Sequence, residues 1–205
     1  MGCYNYTHFV EDFAKRTLDN LAIIEESPIN ADRNEVTQLI NSFLGLLVVP
    51  NERYKFSNRN HRCNESDLRR ADSVSYRKIK NIISKIKEEK KFFSDYQRED
   101  LCPVSSFISH LRNAVCHSGN NALFFLPIEE KREIETIMFY DTDMAFRKPN
   151  EAIHQFCAEL TLMQVREALC NISKLYVAVE TKAAETAQES YNETVASYRN
   201  LFLEK

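Results

Sequence analysis

The scarcity of glycine and proline is the sequence feature that most limits what this chain can fold into. Its 205 residues include only 3 Gly and 5 Pro, too few for the repeated tight turns of an all-β sandwich or barrel. Gly2, Gly45 and Gly119 stand far apart, so the sequence contains neither a G-x-G-x-x-G motif nor a Walker-type phosphate loop. We therefore exclude enzymes that depend on a glycine-rich nucleotide loop and expect a mostly helical protein.

The composition and the N-terminal sequence indicate a cytoplasmic protein. With 43% hydrophobic and 28% charged residues, the chain is typical of a globular domain. Its first residues lack the basic region and apolar stretch of a secretory signal, and no apolar run approaches the ~18 residues needed to span a bilayer. The six cysteines include no C-x-x-C pair, which is typical of reduced thiols. We expect no membrane partner.

Apolar residues at helical spacing predict three helices in the first half of the chain. The first covers residues 5–25 and the second covers residues 35–48. The third starts with Ser66 as its N-cap and continues toward Phe93.

Positive charge is concentrated in the third helix. Residues 68–91 contain nine Lys or Arg against three Asp or Glu, although the whole chain carries a net charge of −3. Two interpretations remain open: a solvated helix face, or a surface that attracts a polyanion because clustered cations displace phosphate counterions. In the second case the RNA-binding residues would be Arg77, Lys78, Lys80 and Lys85.

A fourth helix is the most informative segment of the chain. It begins at Pro103, a favourable first-turn residue, and ends at Gly119, a favourable C-terminal cap. At about 100° per residue, its apolar residues form one core-facing stripe, and four polar residues lie within about 60° of one another on the opposite side. The apolar set is Val104, Phe107, Ile108, Leu111 and Val115, and the polar set is Ser106, His110, Asn113 and His117. Since Arg112 lies on the flank, we expect the helix to present it and the polar set outward from a rigid element.

The second half of the chain predicts a hairpin followed by helices. Two β-like runs, residues 122–126 and 133–139, are typical of a β-hairpin. Residues 150–205 contain no Gly or Pro, and their apolar residues from Phe156 onward have helical spacing. We therefore predict an all-α fold, a helical bundle with a small β-hairpin between the fourth helix and the C-terminal helices.

An Ala-rich patch, in which the apolar pattern is weaker, separates the C-terminal residues from the rest of the chain. Residues 1–180 are predicted to form the helical domain, and residues 181–205 a helical extension. This extension is either a dimerisation arm that packs on a partner subunit or a tail that covers the chain's own core.

The polar residues of the fourth helix suit acid–base chemistry on a phosphodiester. An imidazole accepts or donates a proton near physiological pH, and an arginine holds phosphate oxygens in a fixed fork. Arg112, Asn113 and the two histidines together suit cleavage by attack of a ribose 2′-hydroxyl, which needs neither metal nor cofactor. By spacing alone, a solvated or capping histidine is the simpler explanation of the same residues.

Two groups of histidine and cysteine residues raise the question of a metal site. One contains His110, Cys116 and His117, and the other contains His61 and Cys63. Because neither provides four ligands at a recognised spacing, we expect no bound metal.

The segment from Arg112 to His117, RNAVCH, resembles the R-x4-6-H motif of HEPN domains, the higher eukaryote and prokaryote nucleotide-binding superfamily. Asn113 matches the polar residue that commonly follows the arginine of that motif. Residues 41–50 and the predicted hairpin running into Phe139-Tyr-Asp resemble a plasmid- and defence-associated branch of the superfamily. The likeness extends over roughly residues 5–180.

The resemblance implies a four- or five-helix bundle that dimerises so that the motif helices of two subunits face each other. It further implies a metal-independent endoribonuclease of the toxin or defence type, which cleaves RNA in a cleft shared by two chains. In that cleft Arg112 would bind the scissile phosphate, His117 would act as acid or base, and Asn113 would support them. His110 lies outside the motif and is expected only as a neighbour of the site.

The resemblance also leaves a second function open and indicates which regulatory partners to expect. Members neutralised by nucleotidylation carry a tyrosine two residues after the histidine, where this chain has Gly119, so a nucleotidyltransferase antitoxin is not expected. Many members lack activity, and the alternative is a non-catalytic HEPN module for RNA binding or protein scaffolding. An active ribonuclease would harm its own cell, so we expect an antitoxin, another regulatory partner or a trigger.

Overall fold

A computed structural model describes residues 9–26, 39–42, 44–48, 65–96, 103–116, 122–127, 134–142 and 153–203. Their helices are α1 (Phe9–Glu26), α2 (Glu65–Ala71), α3 (Ser73–Glu88), α4 (Pro103–Cys116) and α5 (Leu162–Leu203). Residues 39–42 are also helical, and Leu44–Val48 form a π-helical turn. The strands are β1 (Phe92–Ser94), β2 (Ala122–Pro127), β3 (Ile134–Thr142) and β4 (Gln155–Thr161).

The four strands form one antiparallel sheet in the order β1-β4-β3-β2. The predicted hairpin is present as β2 and β3, with Phe124 opposite Met138. The all-α prediction is wrong, because β4 pairs with the free side of β3 and β1 pairs with β4. The fold is therefore mixed α/β, with helices packed against a four-stranded sheet.

The error over β4 has a clear physical cause. Phe156, Leu160 and Met163 fit helical spacing, but Phe156, Ala158 and Leu160 also alternate with more exposed residues and are all fully buried. The change from strand to helix is marked by a reciprocal capping box. The Thr161 amide donates to Gln164 Oε1 at 2.9 Å, and the Gln164 amide donates to Thr161 Oγ1 at 3.2 Å.

The predicted third helix is divided into α2 and α3 at Asp72. Asp72 has an extended backbone (φ −143°, ψ 96°), and its Oδ1 accepts hydrogen bonds from the Val74 and Ser75 amides, both at 3.0 Å. Burial favours the neutral acid, but the hydrogen bonds from Ser75 and Val74 outweigh it and lower the pKa of Asp72. An aspartate that caps one helix thus interrupts what the apolar spacing predicted as a single helix.

At the C-terminal end of α3 the chain turns and continues into β1. Lys90 has a positive φ of 58°, and the amide of Lys91 donates to the Ile86 carbonyl at 2.8 Å. The amide of Lys90 donates to the Lys87 carbonyl at 3.1 Å. This pair of bonds is a Schellman termination, which allows Phe92 to pair with Ala158 of β4.

The core joins α3, α4 and the inner face of the sheet. Four of the five apolar residues predicted for α4, namely Val104, Phe107, Ile108 and Leu111, are buried, and Val115 is partly buried. On the facing elements, the largest fully buried side chains include Ile79, Ile86, Phe139 and Phe156. The apolar periodicity of α4 therefore predicted its core-facing side correctly.

The long helix α5 packs on the other helices and on the sheet. It contacts α1, α2, α3, β3 and β4, and its 42 residues correspond to a length of about 63 Å. The predicted boundary at residue 180 falls inside this continuous helix, and the extension from residue 181 continues it as far as Leu203. Among the described helices, none is both long and apolar enough to cross a membrane.

Candidate functional site

The N-terminus of α4 is fixed by a carboxylate from another helix. Glu65 of α2 accepts hydrogen bonds from the Val104 amide at 3.0 Å and from the Ser105 amide at 2.8 Å. The Tyr76 hydroxyl donates to the same carboxylate at 2.7 Å. Amides at a helix start lack intrahelical partners, and a negative charge there interacts favourably with the helix dipole. Pro103 predicted the position of this start, whereas Glu65 is remote in sequence and was missed.

The second half of α4 is attached to the sheet by Asp141 of β3. The Nδ1 atom of His110 lies 2.6 Å from Asp141 Oδ2, and the Asn113 amide donates to the same oxygen at 2.9 Å. Asp141 is only 2% exposed. A buried carboxylate is costly unless it is paired and hydrogen-bonded, and these two side chains provide its partners.

The His110 ring lies between two aromatic rings. It stacks on Phe156 with a centroid distance of 4.6 Å and an interplanar angle of 16°, and the Tyr96 ring is 4.4 Å away. The contact with Asp141 engages Nδ1 of His110 and leaves Nε2 for any other role. The ring is thereby fixed in both tilt and hydrogen-bonding direction.

This arrangement corrects the expectation that the whole polar side of α4 faces outward. His110 is 8% exposed, because Phe156 of β4, Tyr96 and Asp141 of β3 pack around it. Asn113 and Ser106 are partly buried, as is Arg112 on the flank. Spacing around the helix correctly grouped His110 with Asn113, but it did not indicate that a strand lies over them.

Part of the motif lies outside the described residues. The described part of α4 ends at Cys116, so His117 and Gly119 fall beyond it, as do His61 and Cys63. The structure therefore brings His110 and Asn113 together beside Asp141 and places Arg112 on the flank of the same helix, and the position of His117 stays a prediction.

A second histidine–aspartate pair lies at the same end of the sheet. His154 Nδ1 is 3.6 Å from Asp95 Oδ1, and the Tyr96 ring is 5.4 Å from the His154 ring. The backbone carbonyl of His154 accepts from the Tyr96 hydroxyl at 3.3 Å and from Thr142 Oγ1 at 3.1 Å. Tyr96 thus separates the buried His110 from a partly exposed His154, which the sequence interpretation had not singled out.

The four basic residues predicted to bind RNA are all exposed on α3. They are Arg77, Lys78, Lys80 and Lys85. Around an ideal helix Lys78 and Lys85 lie on one edge of the exposed side, within about 20° of each other, and Lys80 lies on the opposite edge. The exposed side is therefore basic along both edges, and the buried side of α3 packs into the core. Contact of these residues with RNA stays a prediction.

The residues that the structure describes contain no group of three or more His, Cys, Asp or Glu arranged to hold a metal ion. Of the cysteines considered for a metal site, Cys116 is partly buried at the end of α4. The other half-buried thiols include Cys157, where burial raises the pKa and the nearby Glu159 adds to that effect. A raised pKa leaves this thiol protonated and unreactive at neutral pH.

Comparison with known protein families places the chain in the same class of domain that the motif on α4 indicated. The chain belongs to the HEPN domains, because a HEPN family model matches residues 1–183. That model carries the description HEPN pEK499 p136, and the resemblance inferred from the motif is thereby confirmed. No curated protein and no solved structure matches the chain. HEPN domains are generally RNase-like or nucleotide-binding, which supports a function related to RNA.

Proposed function

We propose that this protein is a metal-independent endoribonuclease whose active site is built at the C-terminal end of α4. One observation carries the proposal. Arg112, the first residue of the HEPN motif, belongs to a helix fixed at its start by Glu65 and near its end by Asp141. A reactive group held on a rigid element is what catalysis requires, since small displacements cost much of the rate.

The proposed reaction needs no cofactor, because the substrate supplies its own nucleophile. The ribose 2′-oxygen forms a bond to phosphorus while the bond from phosphorus to the 5′-oxygen breaks. The products are a 2′,3′-cyclic phosphate and a 5′-hydroxyl end, and the proton lost by the 2′-hydroxyl is balanced by the one gained by the leaving oxygen. Arg112 holds the non-bridging oxygens and stabilises their growing negative charge. His117 transfers a proton as acid or base.

Asn113 keeps in this proposal the supporting role that the resemblance implies. Its amide donates to Asp141, so it supports Arg112 by fixing the helix and leaves direct contact with RNA to the residues beside it. His110 is likewise a supporting neighbour of the site, since it is buried and its Nδ1 contacts Asp141.

A shared cleft follows from the spacing of the motif. Arg112 and His117 are five residues apart and so point about 140° away from each other on one helix. Two facing copies of α4 in a homodimer would bring Arg112 of one subunit to His117 of the partner subunit. We propose that residues 181–205 are the arm that stabilises this dimer. A toxin or defence role with a regulatory partner fits such an activity.

The test is RNA cleavage by the purified full chain in the presence of EDTA. We expect cleavage with 2′,3′-cyclic phosphate ends, and a loss of at least about 100-fold in Arg112→Ala and His117→Ala, the range seen when a charge-stabilising group is removed. Arg69→Ala, which removes an exposed arginine of α2, is the matched control and should cut within about twofold of the wild type. If both motif variants cut as fast as the wild type, the assignment is wrong.

The burial of His110 and Asn113 favours one alternative, a non-catalytic HEPN module that binds RNA through the exposed basic side of α3. Its signature would be salt-sensitive RNA binding that is unchanged in His117→Ala, together with no cleavage of any RNA by the wild type. The same preparations therefore decide between the two functions.

A further inference from the structure

We infer, on the basis of the proposed function, that Asp141 is a positioning residue of the active site. Its carboxylate sets the rotation of α4 about the helix axis and thereby the direction in which Arg112 points. Asp141 lies on β3, outside the HEPN motif, and makes no direct contact with the proposed reacting atoms.

The two hydrogen bonds to Asp141 come from one side of one helix. His110 and Asn113 are three residues apart, so their side chains are neighbours on the helix surface, about 4.5 Å apart along the axis. Both contact the same oxygen, Oδ2 of Asp141: the Asn113 amide donates to it, and His110 Nδ1 lies 2.6 Å from it. Since hydrogen bonds weaken steeply when their angles are distorted, two bonds from successive turns to one point oppose rotation of the helix more than either would alone.

Asp141 is itself a fixed reference point. It belongs to β3, which is paired on both sides, and it lies opposite Phe156 in the register with β4. Phe156 also stacks on the His110 ring, and the Tyr96 ring contacts that ring at a centroid distance of 4.4 Å. The strand therefore fixes both the carboxylate and the imidazole that binds it.

A small rotation of α4 is sufficient to disturb catalysis. A guanidinium about 8 Å from the helix axis moves by about 1.4 Å when the helix rotates by about 10°. A misplacement of about 1 Å can cost about 100-fold in rate. The apolar side of α4 already attaches the helix to the core, so a purely adhesive role would be served by another apolar residue at position 141. The hydrogen bonds to the buried Asp141 carboxylate, in contrast, fix the rotation of α4 and with it the direction of Arg112.

The experiment compares single-turnover RNA cleavage by the full-length wild type, Asp141→Asn and Thr136→Val. Thr136 is a buried residue of the same strand, so its isosteric replacement is the matched control. We expect Asp141→Asn to lower the rate constant about 100-fold while the RNA Kd changes by less than about twofold. Thr136→Val should stay within about twofold of the wild type in both quantities.

A double-mutant cycle separates positioning from general damage. If Asp141 acts through Arg112, then Arg112→Ala and the double variant Arg112→Ala/Asp141→Asn cut at the same rate within about twofold. If the two losses multiply, Asp141 acts independently of Arg112 and the inference is overturned. Should Asp141→Asn fail to fold, Asn113→Ala, which removes one of the two hydrogen bonds, takes its place in the cycle.

One readout does not depend on activity. The Nε–H signal of Arg112 in a nitrogen-15 NMR spectrum, assigned by its loss in Arg112→Ala, should shift or broaden in Asp141→Asn and stay in place in Thr136→Val. An unchanged Arg112 signal in Asp141→Asn would overturn the positioning role. A wild type that cuts no RNA would overturn the proposed function instead, while the NMR comparison still decides whether Asp141 directs Arg112.

Discussion

Removal of the Glu65 carboxylate should loosen the start of α4 and lower the stability of the whole protein. The carboxylate accepts from two backbone amides, those of Val104 and Ser105, and from the Tyr76 hydroxyl. Loss of a helix N-cap costs about 0.5–2 kcal/mol, and a hydrogen bond to a charged group contributes about 1.5–3 kcal/mol. Because Ser105 is partly exposed, its released amide gains water as a partner, whereas the amide of the buried Val104 is left without one. We therefore expect Glu65→Ala to lower the free energy of unfolding by about 2–3 kcal/mol.

Glu65→Gln separates the charge from the hydrogen bonds. It keeps one acceptor oxygen but loses the charge that interacts with the helix dipole, a contribution of about 0.3–1 kcal/mol, and its amide group faces a backbone donor. We expect a loss of about 1–2 kcal/mol, intermediate between the wild type and Glu65→Ala. The order of the three proteins therefore tests whether the carboxylate acts as a cap.

The assay is urea unfolding followed by circular dichroism, with thermal melting as a second measurement. For a chain of this size, about 2–3 kcal/mol corresponds to a Tm decrease of about 4–12 °C. Glu167→Ala, an exposed glutamate of α5, is the control and should stay within about 0.5 kcal/mol of the wild type. Hydrogen exchange at the Val104 and Ser105 amides should be faster in Glu65→Ala. If Glu65→Ala is as stable as the control and these amides stay protected, the reasoning is wrong.

Three further predictions concern caps, pH and charge. Asp72→Ala should lower the free energy of unfolding by about 1 kcal/mol. Because the pKa of Asp72 is lowered in the folded state, its carboxylate stabilises the fold at pH values above its ordinary pKa of 3.8. This stabilisation disappears as the pH falls through the lowered pKa. Urea unfolding at neutral and acidic pH checks this, and a difference between wild type and Asp72→Asn that grows on acidification contradicts it. Gln164→Ala should cost about 1 kcal/mol by breaking the capping box, measured by the same unfolding assay, and no change would argue against the box as a stabilising element. If Lys78 and Lys85 contact phosphates, Lys78→Ala/Lys85→Ala should reduce the slope of log K against log salt for RNA binding by about 2, and an unchanged slope would remove α3 from the RNA interface.

The local periodicity of apolar residues predicted those helices and strands whose sequence pattern fits only one type of secondary structure. The apolar side of α4 and the β2–β3 hairpin were both identifiable, because each has one period and a clear start or turn. Strand β4 was missed because its apolar residues fit two periods, and β1, only three residues long, has no period of its own. Strand β4 depends on pairing with β3 at the edge of the hairpin, and β1 depends in turn on pairing with β4. Both pairings are tertiary contacts.

The site shows the same limit at the level of single residues. The sequence motif identified Arg112 and Asn113, but not Asp141, which is 31 residues from His110 and 28 from Asn113. The helical wheel placed His110 and Asn113 on one side correctly. It could not distinguish a side that faces solvent from one that faces a buried carboxylate, since polar residues are suited to both.

Burial of that side changes which residues of α4 are left to meet RNA. His110 is 8% exposed and the Asn113 amide is engaged by Asp141, so the endoribonuclease that we propose would rely on Arg112 and His117 for its chemistry. A cleft formed by the whole polar side of α4 is thereby reduced to one formed by the last turn of the helix. Since a shorter contact between facing helices gives less interface area, a stable dimer would need surface from elsewhere, and α5, continuous to Leu203, is long enough to provide it.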